Sequence, residues 1–268
     1  MNSAGESFET FTLVRKAKNN IKGWYFYSVA SEPFAVSAVA TYIPLLLEQF
    51  ARINGVSVDD HSIKCTSKHD KCVLGLFNNS VYIDTSSFAL YTFSISVLFQ
   101  TLLVITVSGL VDVWKTVEFK RRVLIFFGVI GSLSLILISQ LEVDQFYALP
   151  FLCIVANSSY GVVNVVGNSL LPVFVSDLIR VDPVQAHIDV DTLTSSVSGA
   201  GASSGYFSAL VVQIISIGLV KKSKSHDNIQ WATLFVGIWW IAWQSPIAWL
   251  LQDIGPTTTG QVLRPVRG

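Results

Sequence analysis

Charge is scarce in this sequence. Asp, Glu, Lys and Arg make up 13% of it, about half the share of an average soluble domain. The 18 acidic and 18 basic residues cancel, so nothing favours a nucleic-acid partner, and no basic stripe interleaved with aromatics is present. Only four histidines occur, none in an apolar run. No Walker loop, HExxH helix or nucleophile elbow appears, which leaves no enzyme constellation and no cofactor motif. Residues 1–22 are polar and contain no hydrophobic region of a cleavable signal. The first apolar helix is therefore expected to direct insertion itself.

What is present is hydrophobic length. The mean hydropathy is +0.54 and 51% of residues are hydrophobic. Six apolar stretches can be marked: Gly23–Phe50, Phe88–Val111, Val123–Leu141, Phe146–Val175, Val197–Val220 and Trp231–Leu251. Each approaches or exceeds the roughly 20 residues that cross a hydrocarbon core. The expected fold is an all-α, polytopic membrane bundle of six transmembrane helices over residues 23–251. A polar segment 1–22 precedes it and a disordered tail 252–268 follows. The fourth stretch is long enough to tilt or to break at Pro172.

The loops differ in character. Residues 51–87 are polar and contain the glycosylation pattern Asn78-Asn79-Ser80. Residues 112–122 are basic, and 176–196 are acidic and rich in Ser and Thr. With the N terminus in the cytoplasm, eleven Lys and Arg fall on the cytoplasmic side and seven on the other. The positive-inside bias then places both termini in the cytoplasm and the loop 51–87 in the lumen. Cys65 and Cys72 lie in that loop. A disulfide, two structural thiols, and a metal site with His61 and His69 are the open readings. Cys153 sits in an apolar run.

Glu32 is the first candidate for function. A carboxylate inside a membrane span is costly, and such residues usually face a bundle interior or a water-filled path. It can hold a proton or meet a substrate amine. Pro33, next in sequence, removes a helical donor and frees a carbonyl beside the acid. A structural acid paired with a neighbouring helix is the competing reading. In the fourth stretch Asn157, Gly161, Asn164 and Asn168 recur at steps of four, three and four, which puts them on one helix face. They could line a polar cavity for a zwitterion or bond to other helices. In the fifth stretch Ser198, Gly201, Gly205, Ser208 and Val212 form a small-residue face suited to close packing or to sliding. Five tryptophans, among them Trp239, Trp240 and Trp243, crowd the sixth stretch. The outer ones suit the membrane interface and the middle ones suit lipid-facing bulk.

Ser108-Gly109-Leu110-Val111-Asp112, followed by Lys120-Arg121-Arg122, resembles the loop signature of the major facilitator superfamily. There serine replaces the first glycine and the bases come late. That resemblance implies that Asp112, Arg121 and Arg122 latch helix ends on the cytoplasmic side. The opening helix is more specific. Gly23-Trp24-Tyr25, Ala30-Ser31-Glu32-Pro33-Phe34 and Tyr42-Ile43-Pro44-Leu45-Leu46-Leu47-Glu48 resemble the fungal autophagy-related vacuolar amino-acid effluxers, a branch of that superfamily. The region 199–206 and Val236-Gly237-Ile238-Trp239-Trp240 fit the same pattern. The resemblance implies export of neutral amino acids from the vacuole across its membrane after autophagic protein breakdown. It also implies about twelve spans, so this chain corresponds to an N-terminal half. The expected partners are neutral amino acids, the lipid bilayer, and a second six-helix half or a homo-oligomer. A non-transporting membrane subunit or scaffold is the rival.

Overall fold

The computed structural model describes residues 3–65, 71–77, 79–114, 116–222 and 228–255. Its architecture is an all-α bundle with a small three-stranded sheet within residues 56–84. Helix α1 (Ser3–Pro33) continues through a π-helical segment (Phe34–Tyr42) into α2 (Ile43–Ile53). Strands β1 (Val56–Ser57), β2 (Cys72–Leu76) and β3 (Val81–Asp84) follow, then α3 (Thr85–Val113), α4 (Val117–Ile138), α5 (Ala148–Val181) and α6 (Val190–Lys222). The chain ends in α7 (Asn228–Ala242) and α8 (Gln244–Leu250). Among the described residues, five helical stretches are long and apolar enough to cross a membrane.

The sixth apolar stretch is present but divided at Trp243 between α7 and α8. Pro246 has no N–H, so it cannot bond the carbonyl of Ala242, four residues earlier. The Ser245 hydroxyl donates to that carbonyl instead at 3.0 Å. Pro172, by contrast, does not break its helix: α5 runs 34 residues through it. The proline leaves the Asn168 carbonyl without its helical donor.

Helices also extend beyond the apolar runs. The first stretch, counted as one span, runs 44 residues from Thr10 to Ile53, roughly 66 Å at 1.5 Å per residue. That is about twice the hydrocarbon thickness, so the helical run extends beyond what a bilayer core requires, and residues 3–22 are helical. Residues 112–122 and 176–196 are shorter connections than their composition suggests. Thr116 caps α4 by accepting from the Phe119 amide at 3.3 Å, and the Lys120-Arg121-Arg122 cluster therefore belongs to α4. Asp189 caps α6, its carboxylate accepting from the amides of Asp191 and Thr192.

Helix α5 packs against α1, α3 and α4, while α1 also meets α6 and α8, and α4 meets α7. The buried core runs through α1, α2, α4, α5 and α7, with Trp240, Phe34, Phe50 and Phe174 among its largest members. Trp240 is thus not lipid-facing bulk. Its ring lies 5.0 Å from that of Phe34 and 6.4 Å from that of Tyr160.

The loop after α2 holds an antiparallel sheet in the order β1-β2-β3, with Leu74 opposite Ile83 and Leu76 opposite Val81. Cys65 and Cys72 are joined by a disulfide with Cα atoms 6.2 Å apart. The His61 ring stacks on Tyr82 at 4.2 Å. Among the described residues no three metal-capable side chains gather. Asn78, His69 and the tail from residue 256 lie outside the described residues.

Candidate functional site

The first span sets the site. Trp24, Ser28 and Glu32 are four residues apart and so lie along one face of α1. Facing them, α6 presents its small residues. A Cβ on Gly201 would strike the Trp24 ring, and one on Gly205 would come within 2.5 Å of Glu32 Cγ. Ser208 adds a hydrogen bond to the Val29 carbonyl at 3.0 Å. Gly201 meets Trp24, while Gly205 and Ser208 meet the next turns at Ser28–Glu32, so α1 and α6 run parallel, as first and fifth spans must in an alternating bundle. The small-residue face therefore exists to admit two large α1 side chains.

Glu32 is half-buried, and among the described residues no hydrogen bond or ion pair engages its carboxylate. Its electrostatic neighbours are the phenols of Tyr27 and Tyr160, and Tyr160 is in turn within reach of Tyr206 on α6. Asn164 Nδ2 donates to the Tyr160 hydroxyl at 3.3 Å and Asn168 Nδ2 donates to Asn164 Oδ1 at 2.8 Å. Tyr27 Oη donates to the Asn164 carbonyl at 3.3 Å. A polar seam thus runs from Glu32 past Tyr160 to Asn164 and the exposed Asn168. An open carboxylate beside phenols and amides can exchange a proton, bind an ammonium group and hydrogen-bond a carboxylate on the same small molecule.

Asn157 does not join that seam. It is buried and gives both amide protons to α3, to Ser96 Oγ at 2.9 Å and Gln100 Oε1 at 2.8 Å. Gly161, at the next position of the stripe, makes room for Gln100, whose Cγ would lie 2.5 Å from a Cβ there. A cleft of about 290 Å³ remains between α3 and α5, with Gln100, Thr101, Tyr160 and Asn164 as its polar lining. A larger cavity of about 450 Å³ lies between the turn 139–143 and the start of α7, and no seam residue lines it.

Asp112 and the basic cluster that opens α4 form separate contacts. Arg121 donates to the carbonyls of Ala248 and Leu251 at 3.3 and 2.8 Å, tying α4 to the end of α8. Arg122 pairs with Glu118 on its own helix. Asp112 is exposed, and its electrostatic neighbour is Lys120 rather than either arginine. Lys120 itself donates to the Ser169 carbonyl at 3.3 Å.

The sequence did not single out Tyr27, Tyr160 or Gln100. Tyr160 stands four residues before Asn164, one helical turn away on the same face. Gln100 is an amide within an otherwise apolar run, and those two signals were available.

The chain matches a family model described as vacuole effluxer Atg22 like over residues 16–264. It is 67% identical over 250 residues to autophagy-related protein 22 of Vanderwaltozyma polyspora, covering 92% of this chain and 48% of the relative. To the protein of that name from Kluyveromyces lactis it is 64% identical, covering 92% and 49%. To that of Saccharomyces cerevisiae it is 58% identical, covering 95% and 49%. The chain therefore spans about half the length of these relatives. No solved structure matches it. With a match across nearly its whole length, the chain belongs to the Atg22-like vacuole effluxer family.

Proposed function

We propose that this chain forms the N-terminal half of a vacuolar membrane exporter that passes neutral amino acids to the cytosol, with Glu32, Asn164 and Asn168 on the path. The observation that carries the reading is the unpaired, half-buried carboxylate of Glu32 beside phenols and amides, inside a span. The family description, vacuole effluxer, supports the compartment and the direction. Because relatives are about twice as long, the opposite wall of the path belongs to a second six-helix half or to a second copy. Pro33, Gly201 and Gly205 set how closely α1 approaches α6, and Arg121 fastens the cytoplasmic end. Asn157 serves α3–α5 packing rather than the substrate.

In this reading both termini are cytoplasmic, and the loop 51–87 with its disulfide and Asn78 is luminal. Asn78→Gln then removes any endoglycosidase-sensitive band shift, and protease protection of that loop from the luminal side checks its placement.

The transport test loads vacuolar vesicles with labelled neutral amino acids. One set carries this chain and another carries a full-length relative, each with and without Glu32→Gln at the matching position. Glu32→Gln keeps the shape and removes the ionisable group. Efflux by the full-length protein should fall at least tenfold and lose its pH dependence, while Glu32→Asp retains part of it. Normal efflux by a correctly localised Gln variant between pH 5 and 7 makes Glu32 structural and overturns the assignment. The set carrying this chain separates a working half-transporter from a non-transporting subunit, which the half-length match to relatives brings into play.

A further inference from the structure

A proline within a helix leaves the carbonyl four residues earlier without its backbone donor. For Pro33 that carbonyl belongs to Val29. In a span it cannot turn to water, so another group must meet it. The indole Nε1 of Trp239, from α7, donates to it at 2.9 Å. Ser208, from α6, also lies 3.0 Å from it. However, the single Ser208 hydroxyl proton has a second and nearer acceptor, the Gly205 carbonyl at 2.7 Å. Trp239 is therefore the committed donor and Ser208 the shared one.

The indole is itself held. Its ring packs 6.2 Å from Phe235 and 5.5 Å from Trp243, and Trp243 stacks on Phe26 of α1 at 5.5 Å with planes 16° apart. Val29 lies one turn before Pro33, and Glu32 stands on that turn. The Trp239 bond thus fixes the turn of α1 that the missing proline donor would otherwise leave loose.

We propose that Trp239 is a positioning residue for Glu32: by capping the Val29 carbonyl it sets where the Glu32 carboxylate stands against Gly205 and the seam. The inference rests on the reading of Glu32 as a path residue for its importance, though its geometry does not. The groups facing Glu32 are Tyr27 on its own helix, Tyr160 on α5 and, through Tyr160, Tyr206 on α6. Helix α7 carries no acidic or basic side chain, so a Trp239 variant alters position rather than local charge.

The test uses the full chain in lipid nanodiscs and a hydrophobic carbodiimide, which modifies membrane carboxyl groups. Mass spectrometry gives the labelling rate of Glu32 relative to Glu48, the internal control on α2. Trp239→Phe keeps the ring packing and deletes the N–H. The Glu32/Glu48 ratio should rise at least threefold. Trp243→Phe, which keeps the stack on Phe26 and leaves the Val29 cap alone, should leave the ratio within twofold of wild type. Should Trp239→Phe fail to fold, benzothienylalanine at position 239 replaces only the N–H by sulfur and asks the same question. A rise below threefold in whichever of these folds, or an equal rise in Trp243→Phe, overturns the proposal. No transport is measured, so this outcome is independent of whether Glu32→Gln stops efflux.

Discussion

Asn157 gives one amide proton to Gln100 at 2.8 Å and the other to Ser96 at 2.9 Å, so a single side chain on α5 ties two successive turns of α3. Interhelical hydrogen bonds of this kind contribute about 0.6 kcal/mol on average and up to about 1.7 in one measured membrane protein. Asn157→Ala should therefore destabilise the bundle by about 1–2 kcal/mol, read as a lowered unfolding midpoint in detergent. Asn168→Ala, on the exposed end of the seam, should stay within about 0.5 kcal/mol. The reverse order would mean that Asn157 is not a structural bridge.

The notch in α6 makes a sharper prediction. A Cβ at Gly201 meets the Trp24 ring, which cannot swing away because its indole Nε1 donates to the Gly167 carbonyl at 2.9 Å. Gly201→Ala should cost about 1–3 kcal/mol, the range for forced overpacking. Gly218 lies on the same helix with nothing within 4 Å of where a Cβ would stand. Gly218→Ala should be neutral or stabilising by up to about 1 kcal/mol, since alanine is the better helix former. Thermal unfolding of the two variants side by side decides it.

Much of this fold is legible in the sequence because membrane crossing is a property of local hydropathy. Five of the six apolar runs lie along helical stretches long enough to span, and the sixth is split at Trp243. Helix ends were less legible, since a helix continues into water wherever its hydrogen bonds can close. That is why α1 begins at Ser3 and why Arg121 belongs to α4 instead of a loop. The short sheet at 56–84 depends on pairing across the loop, and composition carries no trace of it. In the site, periodicity placed Asn157, Gly161, Asn164 and Asn168 on one stripe, yet that stripe serves two neighbours. Its first half meets Gln100 and its second half meets Tyr160. Which neighbour a face meets is decided by packing between helices, and so is the Trp239–Val29 bond.

The sheet between α2 and α3 offers a separable test. The Cys65–Cys72 bond closes a short loop onto β2, where Cys72 and Leu74 are buried. Constraining a loop of this size stabilises by about 2–3 kcal/mol in the chain-entropy account. Cys72→Ser, or reduction of the wild type, should make residues 58–65 cleavable under protease conditions that spare the oxidised chain, with the spans intact. Equal protection in both states would show that the sheet holds without the bridge.

The last prediction concerns acid. Asp182 follows α5 with its side chain buried, and Lys18 of α1 sits 2.9 Å from Oδ2. The Lys18 ammonium, first, and then the Val184 amide at 3.0 Å hold its carboxyl below the ordinary aspartate value, against the opposing effect of burial. A lowered folded pKa means the folded state favours the ionised form. The stabilisation is therefore complete above the ordinary aspartate value, about 3.9, and is lost as pH falls through the lowered one. Thermal stability should thus owe no slope to this pair between pH 5 and 8, and the pair should contribute to the loss below about pH 4. Lys18 is 54% exposed, so salt screens part of the effect. Asp182→Asn keeps the shape and removes the charge. It should lower stability at pH 7 and flatten the acid limb. An acid limb as steep in Asp182→Asn as in the wild type would show that the pair does not couple α1 to α5.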